Sequence, residues 1–67
     1  MKIIVANGTI WNCNTIVSYY FSDYSYICGV TLNGNQVHIF RCMEKDSAEI
    51  LEKIADFLAS DERKLTL

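Results

Sequence analysis

The chain has no proline, its three glycines are isolated, and no run of like charges or repeated segment appears in its 67 residues. Without Pro-rich, Gly-rich or low-complexity stretches, nothing marks a linker or a second domain. Isolated glycines exclude a phosphate-cradling loop. Basic residues are scattered, with only Arg63 and Lys64 adjacent, and the formal net charge is −2. Nucleic-acid binding requires a positive patch, so no nucleic-acid partner is expected. The opening apolar run, Ile3 to Ala6, is too short for a signal segment and far too short to span a bilayer. A cytoplasmic location without membrane insertion is the expectation. Three cysteines, Cys13, Cys28 and Cys42, form neither an even set nor a close pair, which fits a reducing compartment better than a disulfide framework.

What the chain does have is apolar character: 51% hydrophobic residues and four tyrosines, three phenylalanines and one tryptophan. A domain this small buries only roughly 60% of the surface its unfolded chain exposes. Stability is then marginal unless a metal, a disulfide or a partner contributes.

Short β-branched and aromatic runs separated by turn dipeptides predict strands at about 2–6, 9–12, 15–21, 24–32 and 35–42. Residues 2–12 read either as a hairpin or as one irregular ribbon. Asn7-Gly8 and Asn33-Gly34 are read as two-residue type I′ turns, Ser22-Asp23 as a weaker turn, and Asn12-Cys13-Asn14 as a break. Taking those turns literally sets a register. Tyr26 then faces Arg41, Cys28 faces Ile39 and Val30 faces Val37, on one face with Val17, Tyr19 and Phe21. The other face receives Ile16, Ser18, Tyr20, Ile27, Gly29, His38, Phe40 and Cys42. The first face is the more apolar and is expected beneath the helix.

That helix is signalled by Ile50, Leu51, Ile54, Phe57 and Leu58, one apolar stripe. Asp46 or Ser47 can cap it, with Glu49 in a capping-box position. Glu49, Glu52, Lys53 and Asp56 read as its solvated side. The expected fold class is α+β: an antiparallel β-meander of four to five short strands with one C-terminal amphipathic helix packed on one sheet face. Residues 1–59 form the domain and 60–67 a tail, a fraying last turn or a mobile end, from which Leu65 and Leu67 can fold back.

Charge divides the chain unevenly. Residues 1–43 carry only Lys2, Asp23 and Arg41, whereas residues 44–67 carry eleven charged side chains. A solvated sheet face normally bears Lys, Glu and Thr. One reading is that Asn, Ser and Tyr simply stand in for them here. The sharper one is that the second face is covered by another molecule, with Trp11, Ile16, Tyr20, Ile27, His38 and Phe40 as the contact residues. A homo-oligomer, in the first instance a dimer, or a protein partner follows from it.

Catalytic and metal chemistry find little support. Cys13, Cys28, His38 and Cys42 lack the close pairing of structural zinc sites, so no metal and no cofactor is expected. His38 and Cys42 lie four strand positions apart, roughly 13 Å, which excludes a direct dyad. The expectation is a non-catalytic interaction or adaptor module. The alternative is a small-ligand or lipid-head-group binder using an aromatic sheet face.

The segments "TIWNCNTIVSYYFSD", "VTLNGNQVHIF" and "DSAEILEKIADFL" resemble a loose group of very small bacterial proteins built as an antiparallel sheet plus one C-terminal helix. Those proteins carry no assigned activity, so the resemblance implies a fold and transfers no functional residue. Fewer strand charges set this chain apart from them.

Overall fold

A computed structural model describes residues 1–67. Six strands form two three-stranded sheets, and one helix packs against them. In chain order these are β1 (Ile3–Ala6), β2 (Thr9–Asn12), a 3-10 turn (Cys13–Thr15), β3 (Ile16–Ser22), β4 (Tyr26–Thr31), β5 (Gln36–Arg41), α1 (Glu44–Ala59) and β6 (Lys64–Thr66). The first sheet has the order β2-β1-β6, and the second is the meander β3-β4-β5. The α+β class and the C-terminal helix are as the sequence predicts. The strands are more numerous than four or five and belong to two sheets.

The sixth strand comes from the segment set apart as a tail. Residues after Ser60 turn back, and β6 pairs parallel to β1, Ile4 beside Leu65. Backbone bonds from Ile3 N to the Arg63 oxygen and from Leu67 N to the Val5 oxygen hold its two ends. Leu65 and Leu67 thereby reach the core.

The Asn7-Gly8 turn is a two-residue hairpin loop with both residues at positive φ, 51° and 77°, as type I′ geometry demands. The other two turns are longer by one residue, which corrects the predicted register. Thr31 N donates to the Asn35 oxygen and Gly34 N to the Thr31 oxygen, leaving Leu32-Asn33-Gly34 as a three-residue loop with only Gly34 at positive φ. Asp23-Tyr24-Ser25 is its counterpart, closed by Ser25 N donating to the Ser22 oxygen and by Ser25 itself at φ 68°. Both loops follow the pattern of a tight turn ending in a left-handed residue.

Because side chains alternate with period two, an odd shift in register exchanges the faces of a strand. In β3 and β4 the observed pairs are Tyr19 with Gly29, Tyr20 with Cys28 and Phe21 with Ile27. Between β4 and β5, Tyr26 with Arg41 and Ile27 with Phe40 pair as predicted. Cys28 with His38, Gly29 with Val37 and Val30 with Gln36 replace the predicted pairs nearer the loop, and Ile39 is the extra residue of the bulge that joins the two registers. The inner face therefore carries Ile16, Tyr19, Phe21, Ile27, Val37, Ile39 and Phe40, all within or packed against the core. The expected grouping of Tyr26, Cys28 and Val30 on the helix-covered face is overturned.

The core unites both sheets and the helix through Ile4, Ala6, Cys13, Ile16, Ile27, Ile39, Ile54 and Phe57. Only ten residues of the chain are buried, so each carries a large share of the packing. Gly29 is one of them. A Cβ there would lie 2.9 Å from Ile16 Cγ2 and 3.0 Å from Ile39 Cδ1, so its missing side chain is what lets those isoleucines meet over β4.

The helix starts at Glu44, two residues before the first expected cap. Met43 occupies the cap position without a side-chain bond, and Ser47 Oγ donates to the Glu44 oxygen from inside the first turn. Glu44 and Asp46 lie in that first turn, where their charge complements the helix dipole. The last turn has no basic residue of its own. Lys2 supplies one from the head of β1: its ammonium donates to the Phe57, Ser60 and Glu62 carbonyls.

Candidate functional site

With their inner faces committed to the core, the two sheets each present an outer face. On β1 the alternation puts Ile4 and Ala6 inward and Ile3 and Val5 outward. Val5 stands opposite Ile10, and Ile3 opposite Asn12. From β6 come Lys64 beside Ile3 and Thr66 beside Val5. Ile10 is 67% exposed, and Ile3 and Val5 are half-buried. The result is an aliphatic patch with one cation at its border. Its sequence signal is the unbroken apolar run Ile3-Ile4-Val5-Ala6: a strand apolar at every position is apolar on both faces.

The outer face of the second sheet differs in kind. A row crosses all three strands, Tyr20 on β3, Cys28 on β4 and His38 on β5. Tyr26 stacks on His38, with ring centroids 4.4 Å apart and planes inclined by 14°. Cys28 is 2% exposed, yet it lies outside the main core. Its thiol donates weakly to the Tyr26 carbonyl, Sγ to O 3.8 Å. Loss of hydration, then the Cys28 thiol, pushes the Tyr20 phenol up.

At the turn end of this face lies a depression of about 440 Å³, lined by Tyr20, Asp23, Tyr24, Cys28, Gln36 and His38 among others. Tyr24 is 81% exposed, and its amide is fixed by Ser22 Oγ at 3.3 Å. A second, smaller hollow of about 260 Å³ lies beside the end of α1, between Lys53, Asp56, Glu62 and Leu65.

The six expected contact residues do not share one face. Ile16 and Ile27 are core residues, 7% and 0% exposed. Phe40 packs against that core. Trp11 also faces inward, opposite Ile4, and its indole N–H is buried without an acceptor. Tyr20 and His38 lie on the outer face of the second sheet. The sequence predicts His38 opposite Gly29; the three-residue Leu32-Asn33-Gly34 loop instead sets it opposite Cys28. Asp23 is predicted as a turn residue and Tyr24 as the first residue of a strand, and their place at the depression depends on the longer loop.

All three cysteines are free thiols. No three or more His, Cys, Asp and Glu side chains gather at one point, and no helix is long and apolar enough to cross a membrane. No family model, curated protein or solved structure matches the chain.

Proposed function

We propose that this chain is a non-catalytic interaction module that self-associates, in its simplest form as a two-fold dimer, through the outer face of β2-β1-β6. The observation that carries the reading is the Val5–Ile10 pair, set in an aliphatic patch on an edge hairpin. Exposed apolar area of this kind is where partners bind. β2, Thr9–Asn12, is also an uncharged edge, open to pairing with its symmetry mate.

Charge favours the same side. The helix bears five acidic and two basic residues, so two copies meeting helix to helix would repel. The β2-β1-β6 face brings only Lys64 to the contact. Size sets a limit: with extents of 29 × 26 × 21 Å, even the broadest side of the whole molecule spans at most roughly 750 Å², just under the ~800 Å² per partner of a standard interface. A stable dimer must then use a continuous patch rather than scattered contacts. The cytoplasm is the setting this reading assumes, because three unpaired thiols suit a reducing compartment.

Sedimentation from micromolar to submillimolar concentration tests the proposal. The expected outcome is a dimer mass that reverts to a monomer in Ile10→Lys with the circular dichroism unchanged. A monomer throughout for the unaltered chain sinks self-association and leaves a different protein as the occupant of the patch.

A second reading, a small-ligand or lipid-head-group binding module, draws on the depression beside Tyr20 and Tyr24. It concerns the opposite sheet and stands or falls separately.

A further inference from the structure

We propose that the depression at the turn end of β3-β4-β5 is a site for a small quaternary ammonium ion of the choline type. The inference rests on the second reading above and supplies its ligand chemistry. Two tyrosines, Tyr20 and Tyr24, line the hollow together with Asp23, the only acidic residue among residues 1–43. A quaternary ammonium has no N–H to donate, and its charge is spread over its methyl groups. It is recognised by the electron-rich faces of aromatic rings, with a nearby carboxylate balancing charge at longer range. Two tyrosine side chains and one carboxylate are among the groups that line this hollow.

The remaining lining argues in the same direction. Gln36 and His38 add polar edges, and no lysine or arginine lines the hollow. An anion would meet the Asp23 carboxylate with no lysine or arginine to offset it. The phosphate of a phosphocholine head group would likewise go unpaired. Free choline-type cations are therefore favoured over a lipid surface. The volume, about 440 Å³, lies within the range of small-molecule sites.

The local backbone suits the task. Ser25 at φ 68° closes the Asp23-Tyr24-Ser25 loop, and Ser22 holds the Tyr24 amide through its hydroxyl. Asp23 and Tyr24 thus protrude from a closed turn rather than a loose one. Preorganisation of this kind lowers the ordering cost of binding.

The full chain, titrated by NMR with choline, with tetramethylammonium and with the neutral tert-butyl isostere of choline, tests the site. Saturable shifts at Tyr20, Tyr24 and His38 are expected for both cations, with the isostere weaker by about tenfold. Asp23→Asn and Tyr24→Ala, both exposed loop positions, should each weaken choline by about three- to tenfold without altering the fold. Equal binding of choline and its isostere would overturn cation recognition while leaving a small-ligand site standing. No response to any probe would overturn the quaternary-ammonium site, whatever other small ligand the second reading admits. Phosphatidylcholine vesicles form the last arm: sedimentation with vesicles but no response to free choline overturns the proposal in favour of a membrane surface.

Discussion

Lys2 and Phe57, 55 positions apart, meet at the join between β1 and α1. The Lys2 ammonium donates to the Phe57 carbonyl at 2.9 Å and sits 4.7 Å from the centroid of the Phe57 ring. Its remaining donors reach the Ser60 and Glu62 carbonyls. One residue thus satisfies the exposed end of the helix, opposes the negative pole of its dipole, and ties the chain leading into β6 to the strand β6 pairs with.

Replacing that ammonium should be costly for a residue at the surface. Lys2→Met keeps the apolar stem and removes the charge, taking the ammonium from the Ser60 and Glu62 carbonyls while the Phe57 carbonyl keeps Ser60 N and Oγ as donors. A loss of about 2 kcal/mol in urea unfolding is expected. Lys2→Arg should recover only part of it, since three oxygens converging on a compact ammonium do not suit a planar fork. No change in unfolding midpoint for Lys2→Met would show that water serves these carbonyls equally well.

Gly29 sets the spacing over β4. In Gly29→Ala the new methyl would press on Ile16 Cγ2 and Ile39 Cδ1 at 2.9 and 3.0 Å. Both neighbours are buried, so the strain has nowhere to go and should cost about 1–3 kcal/mol. Adding Ile39→Val to Gly29→Ala removes the Cδ1 methyl. It should cost less than the two single changes together, and a double-mutant cycle measures the difference. Strict additivity would place the strain elsewhere.

These positions also show what the sequence made legible. Asn7-Gly8 and the Ile50, Leu51, Ile54, Phe57 stripe announced a hairpin and a helix because each follows a local rule. Register was not local in that sense. Asn33-Gly34 is compatible with a loop of two residues or of three, and nothing in Ser25 advertises a left-handed backbone as glycine would. The extra residue in the 23–25 loop puts Ile27 beside Phe21 and Cys28 beside Tyr20, and the Ile39 bulge, which no local signal announces, carries Phe40 inward with Ile27. β6 was hidden for another reason: Lys64–Thr66 is too short for a pattern, and its partner β1 lies some sixty positions earlier. Of the site, Tyr20 and His38 were visible as aromatic and polar strand residues. Ile3, Val5 and Ile10 were in view but were assigned to structure alone.

Alkaline pH should destabilise the fold through groups that the structure keeps neutral. Burial, with a contribution from the neighbouring Cys13 thiol, pushes the Tyr19 phenol well above its ordinary 10.0. Loss of hydration, then Asp46, pushes the Cys42 thiol above 9.0. A raised folded-state value means that the unfolded chain gives up its proton first. Stability is therefore intact below pH 9 and declines as pH rises through 9 and 10 toward the folded-state values. The Tyr19 hydroxyl has no hydrogen-bond partner, so Tyr19→Phe should change neutral-pH stability by less than about 1 kcal/mol. It should also flatten the branch above pH 10 while leaving the Cys42 contribution. Urea midpoints across that range provide the check, and an unchanged alkaline branch in Tyr19→Phe would assign the decline to other groups.

The parallel pairing of β6 with β1 yields the last expectation. Leu65 and Leu67 pack against a core of few residues, and β6 holds β1 from the side opposite β2. Removing residues 61–67 would uncover Ile4 and Phe57 and leave the Ile3 amide without its Arg63 acceptor. Leu65→Ala is the milder probe, and its half-buried side chain should cost about 2 kcal/mol. Hydrogen exchange separates a structural strand from a loosely laid one. If β6 is part of the cooperative unit, the Ile3 and Leu67 amides exchange only slightly faster than those at the centre of β4. In Leu65→Ala both should accelerate together, whereas the Tyr20 and Cys28 amides of the second sheet slow or quicken only with global stability. Rapid exchange at Leu67 in the unaltered chain would mean that β6 opens alone, and the Leu65→Ala loss should then shrink toward zero.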